Sequence, residues 1–144
     1  MASHPEEQTM SVQANKAQFE RFLTFINTAD KVLGEDLIAE GAIFHAPNSP
    51  EPMRGIDGYM AILSMMRSGF PDIQWTIEEI VAEGDRLAAR FTMRGRHTGA
   101  FFGIPPTGNE IAVQAINFYR FAEGRIIEEH GQPDLMGLMR QIGG

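Results

Sequence analysis

The stretch Gln114–Asp134, QAINFYRFAEGRIIEEHGQPD, decides the fold. Two runs rich in aromatic and β-branched residues flank Ala122-Glu123-Gly124, and a Gly-containing gap of about three residues between such runs signals a β-hairpin. Setting Phe121 opposite Arg125 puts Asn117 opposite Glu129 and Ala115 opposite Gly131, with side chains alternating between two faces. Asn117, Glu129 and His130 then cluster on neighbouring strands, with Asp134 just past the strand end. An outer hairpin has no need of that polar set inside an apolar segment, whereas a pocket does.

Working outward, the strand pattern continues upstream. Leu87 to His97 alternates cleanly, with Leu87, Ala89, Phe91 and Met93 on one face and Arg90, Thr92, Arg94 and Arg96 on the other. His97 falls on the apolar side. In Ile73–Val81 the odd positions Ile73, Trp75, Ile77 and Val81 are apolar with one exception, Glu79, and Gly84-Asp85 turns the chain. Residues 99–108, GAFFGIPPTG, form a long loop before the strand Ile111–Phe121.

Before Pro71 the period is helical. Val12, Phe19, Phe22, Leu23, Phe25 and Ile26 predict an amphipathic helix to about Ala29-Asp30. A short helix follows over Lys31–Ala39, then a brief strand over Ala42–His45. Three prolines make residues 47–52 a loop. A further helix opens at Gly55 or Asp57 and closes at Gly69-Pro71, with Tyr59, Ile62, Leu63, Met66 and Phe70 as its buried stripe. A last short helix covers Leu135–Ile142. Residues 1–11 read as a loose tail and 12–144 as one domain. Helices first and then consecutive antiparallel strands indicate an α+β fold with helices on one face of a curved sheet.

The chain has 144 residues, a one-domain length that buries roughly two thirds of its unfolded surface, enough for a core with a small-molecule cavity. Twelve basic against 19 acidic residues give a net charge of −7, so no basic track exists for nucleic acid. The absence of cysteine excludes disulfides, thiolate metal sites and a Cys nucleophile. The opening MASHPEEQTMS lacks an apolar signal core, and no run approaches membrane-spanning length, so a cytoplasmic protein with no membrane partner is expected.

Five motifs then carry a resemblance to a known family: Phe70-Pro71-Asp72, Ala82-Glu83-Gly84-Asp85, Gly95-Arg96-His97-Thr98-Gly99 with Gly103-Ile104-Pro105-Pro106-Thr107-Gly108, Glu123-Gly124-Arg125-Ile126, and Leu138-Met139-Arg140-Gln141-Ile142-Gly143. In this order, over roughly Phe44 to Gly143, they resemble the SnoaL-like polyketide cyclases. The resemblance implies an NTF2-like cone-shaped barrel, a curved and mostly antiparallel sheet with helices on its concave face. It also implies an apolar pocket between sheet and helices, and a homodimer through the outer face of the sheet. In the family's anthracycline ester cyclases the acid/base aspartate stands three residues before the Asp of a Pro-Asp pair, with a supporting histidine on the preceding strand. The matching positions here are Gly131 and Asn117. The Asp-Arg-Asp trio of limonene-type epoxide hydrolases is not found. The superfamily hosts many activities, so fold does not fix function.

Glu129, Asp134, His130 and His97 are the acid/base candidates. Glu129 shares a face with Ile127, Gly131, Asn117 and Tyr119; among apolar neighbours its pKa would rise toward a general base's range, the alternative being a strand-edge charge or interface ion pair. Gly131 beside it leaves space for substrate or water. Asp134 is read both as a helix N-cap and as a pocket carboxylate that orients His130, although His130 alternates to the face opposite Glu129. His97, like His45, is either a hydrogen-bonded core histidine or a catalyst. The expected ligand-binding set is Asn117, Tyr119, Phe91, Met93, Trp75, Phe102, Met66 and Tyr59, with methionines supplying an adaptable lining. The apolar loop around Phe101-Phe102 either folds over the cavity mouth or packs on a partner subunit. No close histidine spacing supports zinc, and neither metal nor cofactor is expected.

These residues suit proton abstraction next to a carbonyl, followed by cyclisation or isomerisation of an apolar small molecule, with Asn117, Tyr119 and His97 donating to the enolate oxygen. A non-catalytic binder of an apolar ligand is the alternative. Epoxide opening by water is the third reading, and it needs a carboxylate pair across the pocket.

Overall fold

The computed structural model describes residues 5–47 and 49–143, with side chains from Ser11 onward. The elements run α1 (Pro5–Thr28), α2 (Lys31–Leu37), β1 (Ile38–His45), β2 (Met53–Arg54), α3 (Gly55–Gly69), β3 (Gln74–Glu83), β4 (Arg86–Arg96), β5 (Glu110–Ala122), β6 (Arg125–Pro133) and α4 (Leu135–Gly143). The strands form one six-stranded sheet in the order β2-β1-β6-β5-β4-β3. Every neighbouring pair is antiparallel except β1 and β6, which run parallel. This is the curved, mostly antiparallel α+β sheet expected from the sequence, with β1 and β2 inserted among the helices.

The helix α1 begins at Pro5, not Val12, so residues 5–11 belong to it. Apolar periodicity is blind to a polar first turn, yet Pro and Glu are well placed there: proline lacks the N–H that the first turn leaves unbonded, and acidic groups favour the positive end of the helix dipole. Further along, Phe19, Phe22, Phe25 and Ile26 form the buried stripe. Asp30 caps α2, its Oδ1 accepting from the backbone N–H groups of Val32 and Leu33 at 3.1 and 3.3 Å. Gly34 of α2 lies so close to α1 and α3 that a Cβ would stand 2.5 Å from both Phe25 and Ile56.

The hairpin turns tighter than expected. Glu123 and Gly124 both take positive φ, at 53° and 77°, and Ala122 pairs with Arg125. That is a two-residue turn of the kind whose twist suits adjoining strands. A bulge then follows, because Phe121 pairs with Ile126 but Arg120 with Glu128, leaving Ile127 as the extra residue. Asn117 therefore faces Gly131, not Glu129, and Ala115 faces Pro133, not Gly131. Because the combined offset is two residues, Glu129, Gly131, Asn117 and Tyr119 still share a face. Ile127 leaves that face and Ile126 takes the core position, 1% exposed.

A second bulge, between Ile77 and Glu79, corrects β3. Trp75 and Ile77 point inward, but beyond the bulge Ile80 and Ala82 do so, and Val81 is 65% exposed on the outer face. The side chain of Asn27 holds the start of β3 against α1, donating to the Trp75 carbonyl at 3.0 Å and accepting from its N–H at 2.7 Å.

Two apolar clusters result. The larger joins the α1 phenylalanines to Tyr59, Leu63, Leu87, Phe91, Tyr119 and Ile126; the smaller joins Met66, Phe70, Met93, Phe101, Val113, Leu138 and Ile142. Full burial of each large apolar side chain stabilises by about 1.5–3 kcal/mol. Trp75 packs against both clusters, and the space between them is the cavity described next.

Candidate active site

A cavity of about 400 Å³ lies between α3, the inner face of the sheet and α4. Its wall is mainly apolar, with Met66, Trp75, Met93, Phe101, Ala115 and Leu138 among its residues; Tyr59, Asn117 and Glu129 bring polar groups to it. Alternation along β6 aims Glu129 inward, and helical spacing along α3 puts Tyr59 on the face opposite.

Glu129 is buried, 6% exposed. The Tyr59 hydroxyl donates to its Oε2 at 3.2 Å, and Tyr119 lies opposite Glu129 across the β5–β6 pair, with its hydroxyl turned to the carboxylate and lowering its pKa. Behind Tyr119, the Asn117 Nδ2 donates to the phenol oxygen at 3.1 Å, while Asn117 Oδ1 accepts from the Gln132 N–H at 3.0 Å. A chain of donors thus runs from the backbone to one carboxylate. Burial pushes the Glu129 carboxyl up to about 7, and the two tyrosine hydrogen bonds restrain that rise. Burial, reinforced by the adjacent Glu129, holds both tyrosine hydroxyls well above their usual range, so they stay protonated as donors.

The four acid/base candidates are not brought together. Glu129 alone reaches the cavity. Asp134 caps α4, its Oδ1 accepting from the Gly137 N–H at 2.9 Å, and is exposed at the strand end. His130 alternates to the outer face, where its ring stacks on His45 at 4.2 Å. His97 is fully buried away from the cavity: the Thr107 N–H donates to its Nδ1 at 3.2 Å, which ties the 99–108 loop down. Of the expected ligand-binding set, Asn117, Met93, Trp75, Phe102, Met66 and Tyr59 line the cavity. Tyr119 and Phe91 lie behind the wall in the larger cluster.

Phe101 and Phe102 fold over the cavity, the first of the two alternatives for their loop. The sequence reading missed Ala61, Ala115, Leu135 and Leu138, which also line it. The stripe Leu135, Leu138 and Ile142 along α4 was the signal for the helical pair; two small alanines carry none. Among the described lining residues Glu129 is the only carboxylate, so the pair across the pocket that epoxide opening requires is not formed. A Cβ at Gly131 would meet only ordinary contacts, 3.6 Å from Asn117 Oδ1 and 3.8 Å from Glu129 Oε1, so this glycine leaves open space beside the carboxylate.

The family model of the SnoaL-like polyketide cyclases matches residues 16–142. Aklanonic acid methyl ester cyclase DnrD of Streptomyces peucetius is 30% identical over 105 residues, covering 72% of this chain and 69% of the relative. Nogalonic acid methyl ester cyclase of Streptomyces nogalater is 28% identical over 91 residues, 62% of this chain and 67% of the relative. Among solved structures, IdmH of Streptomyces antibioticus superposes with a TM-score of 0.80 at 28% identity, covering 90% of this chain and 99% of that one.

Proposed function

The chain belongs to the SnoaL-like polyketide cyclase family, and from that premise we propose that it is a cofactor-independent enzyme of cyclase type, with Glu129 as its acid/base group. The observation that carries the reading is a single buried carboxyl, pushed up to about 7, at the wall of an apolar cavity of about 400 Å³. A base is most effective when its pKa lies near the working pH. The substrate is an apolar, polyketide-like molecule with at least two carbonyls.

Glu129 takes the proton from the carbon beside one carbonyl. The enolate carbon attacks a second carbonyl of the same molecule, closing a ring through a new C–C bond, and the alkoxide formed takes a proton from Glu129. No atom is gained or lost. Tyr59, freed from its charged partner once Glu129 is protonated, turns its O–H to the enolate oxygen, with Asn117 as the second polar group at the wall. Tyr119, which the wall covers, is a positioning residue that holds the carboxylate.

The test is incubation with aklanonic acid methyl ester and related aromatic polyketide esters. Conversion to a ring-closed isomer of unchanged mass is expected, with a rate that rises with pH through about 7 as Glu129 ionises. In Tyr59→Phe a hydrogen bond to the charged form is lost, so the midpoint of that profile moves upward by roughly one pH unit. If the same esters bind in the cavity and emerge unchanged at every pH, the protein is a binding module.

The reading includes a homodimer through the outer face of the sheet. Val81, Ala88 and Phe118 form a continuous row across β3, β4 and β5, bordered by Glu79 and Arg90 on one side and by Glu83, Arg86 and Arg120 on the other. Both signs of charge border the apolar row, which lets the surface complement a second copy of itself. Phe118→Lys is expected to elute as a monomer in gel filtration while wild type elutes as a dimer; identical elution of the two ends this part of the proposal. The cytoplasm is retained as the setting, and no helix among the described residues is long and apolar enough to cross a membrane.

A further inference from the structure

Behind Glu129, on the outer face of the sheet, three potential ligands converge that the acid/base reading leaves unused. His45 of β1 and His130 of β6 are neighbours across the parallel β1–β6 pair, and Glu128 lies between the two rows. His45 Nε2 stands 3.1 Å and His130 Nε2 3.5 Å from the same oxygen, Glu128 Oε2. The two rings are stacked, with centroids 4.2 Å apart and planes 8° from parallel, so both present the same edge to the carboxylate. The ligand atoms all lie within 4.8 Å of one another.

We propose that His45, Glu128 and His130 form a binding site for a divalent transition metal, of which Zn²⁺ is the representative probe. Bonds of about 2.0–2.1 Å to nitrogen and about 2.0–2.2 Å to a carboxylate oxygen place neighbouring tetrahedral ligands about 3.3 Å apart. The two histidine-to-carboxylate separations, 3.1 and 3.5 Å, bracket that value. Two imidazoles with one carboxylate select zinc, nickel or copper over magnesium and calcium, which prefer all-oxygen sets. Because the two rings lie in nearly parallel planes, they must swing out of their stack for both Nε2 lone pairs to meet at one point; both are partly exposed, which leaves room for that turn, and solvent completes the coordination. Each imidazole then binds through Nε2 and carries its proton on Nδ1.

The charged neighbours favour a preformed anionic ligand. The hydrogen bond from His45, with the Arg120 charge adding to it, holds the Glu128 carboxyl below its usual range. Arg120 Nη1 lies 4.0 Å from Oε1, the oxygen that does not face the histidines. Glu128 and Glu129 project to opposite faces of β6, so the carboxylate ligand is separate from the acid/base group, while His45 also borders the cavity.

The experiment is calorimetric titration of chelator-treated, tag-free full-length protein with ZnCl₂ at pH 7.5, repeated with MgCl₂. One equivalent of zinc is expected per chain and no heat from magnesium. His45→Ala, His130→Ala and Glu128→Gln each lower zinc affinity by more than the roughly tenfold that loss of an outer-shell partner costs, while His4→Ala leaves it unchanged. Circular dichroism and gel filtration on every variant separate ligand loss from unfolding or from loss of a subunit contact. Absence of a saturable equivalent in wild type, or zinc binding that survives in the folded His45→Ala, His130→Ala double variant, overturns the proposal.

Discussion

Glu129→Gln is expected to lower ring-closing turnover by about 10²–10⁴-fold, the range that a positioned acid/base group contributes, and to make the protein more stable at the same time. The second half of that outcome follows from linkage. Between 4.5, the ordinary value, and about 7, the folded value, the native protein holds a proton that the unfolded chain has released. Stability from this group is therefore fully present below pH 4.5 and falls as the pH rises to about 7. By then the buried charge costs about 3 kcal/mol.

Glutamine keeps the volume and removes the charge, although its amide meets two hydroxyl donors less well than a carboxylate does. A net gain of roughly 1–3 kcal/mol above pH 7 remains, shrinking to near zero at pH 4.5. Urea unfolding at several pH values measures it. A residue kept for structure alone would lose stability on substitution; one kept for chemistry gains it. Loss of stability together with unchanged turnover would remove Glu129 from the account.

Phe22→Ala is expected to cost about 3–5 kcal/mol, lowering the melting midpoint by about 10–15 °C for a chain of this length. Phe22 is fully buried, and its ring lies 5.7 Å from Phe19, 5.7 Å from Phe25, 5.3 Å from Tyr59 and 5.7 Å from Tyr119. It is thus the point where α1 supports both tyrosines that hold Glu129. Calorimetry should show the drop, and turnover at temperatures where the variant is folded should fall as well, because both donors lose their backing. Phe102→Ala is the control: half exposed at the cavity mouth, it should change stability by less than about 1 kcal/mol. A Phe22→Ala protein as stable as wild type would mean that α1 is not packed as described.

Local signals and distant contacts were legible to different degrees. The apolar faces of α1, α3 and β4 could be read directly, because one buried side imposes a period on the sequence. The hairpin was misread twice, by one residue at the turn and by one at the Ile127 bulge, and the two offsets preserved the face that carries Glu129 and Asn117. In β3 the warning was visible as Glu79, a charge at an inward position, which marked the bulge that turned Val81 outward. Asp134 and His130 stand near Glu129 in sequence, yet alternation puts His130 on the outer face, as the strand pattern indicated, and Asp134 takes the helix N-cap, one of its two readings.

What the sequence did not disclose is contact across distance. Tyr59 was marked for the pocket, but its bond to Glu129 spans 70 positions. The His45–His130 stack is set by the parallel β1–β6 pairing, which no spacing pattern reports, so the absence of a close histidine motif was a poor guide to that surface.

The most direct measurement is a ¹³C NMR titration of the Glu129 side-chain carboxyl, assigned by comparison with Glu129→Gln. A midpoint at about 7 is predicted, moving upward in Tyr59→Phe. A midpoint near the ordinary 4.5 would contradict the account, because a carboxyl that titrates there is solvated and does not stand in an apolar cavity as an acid/base group.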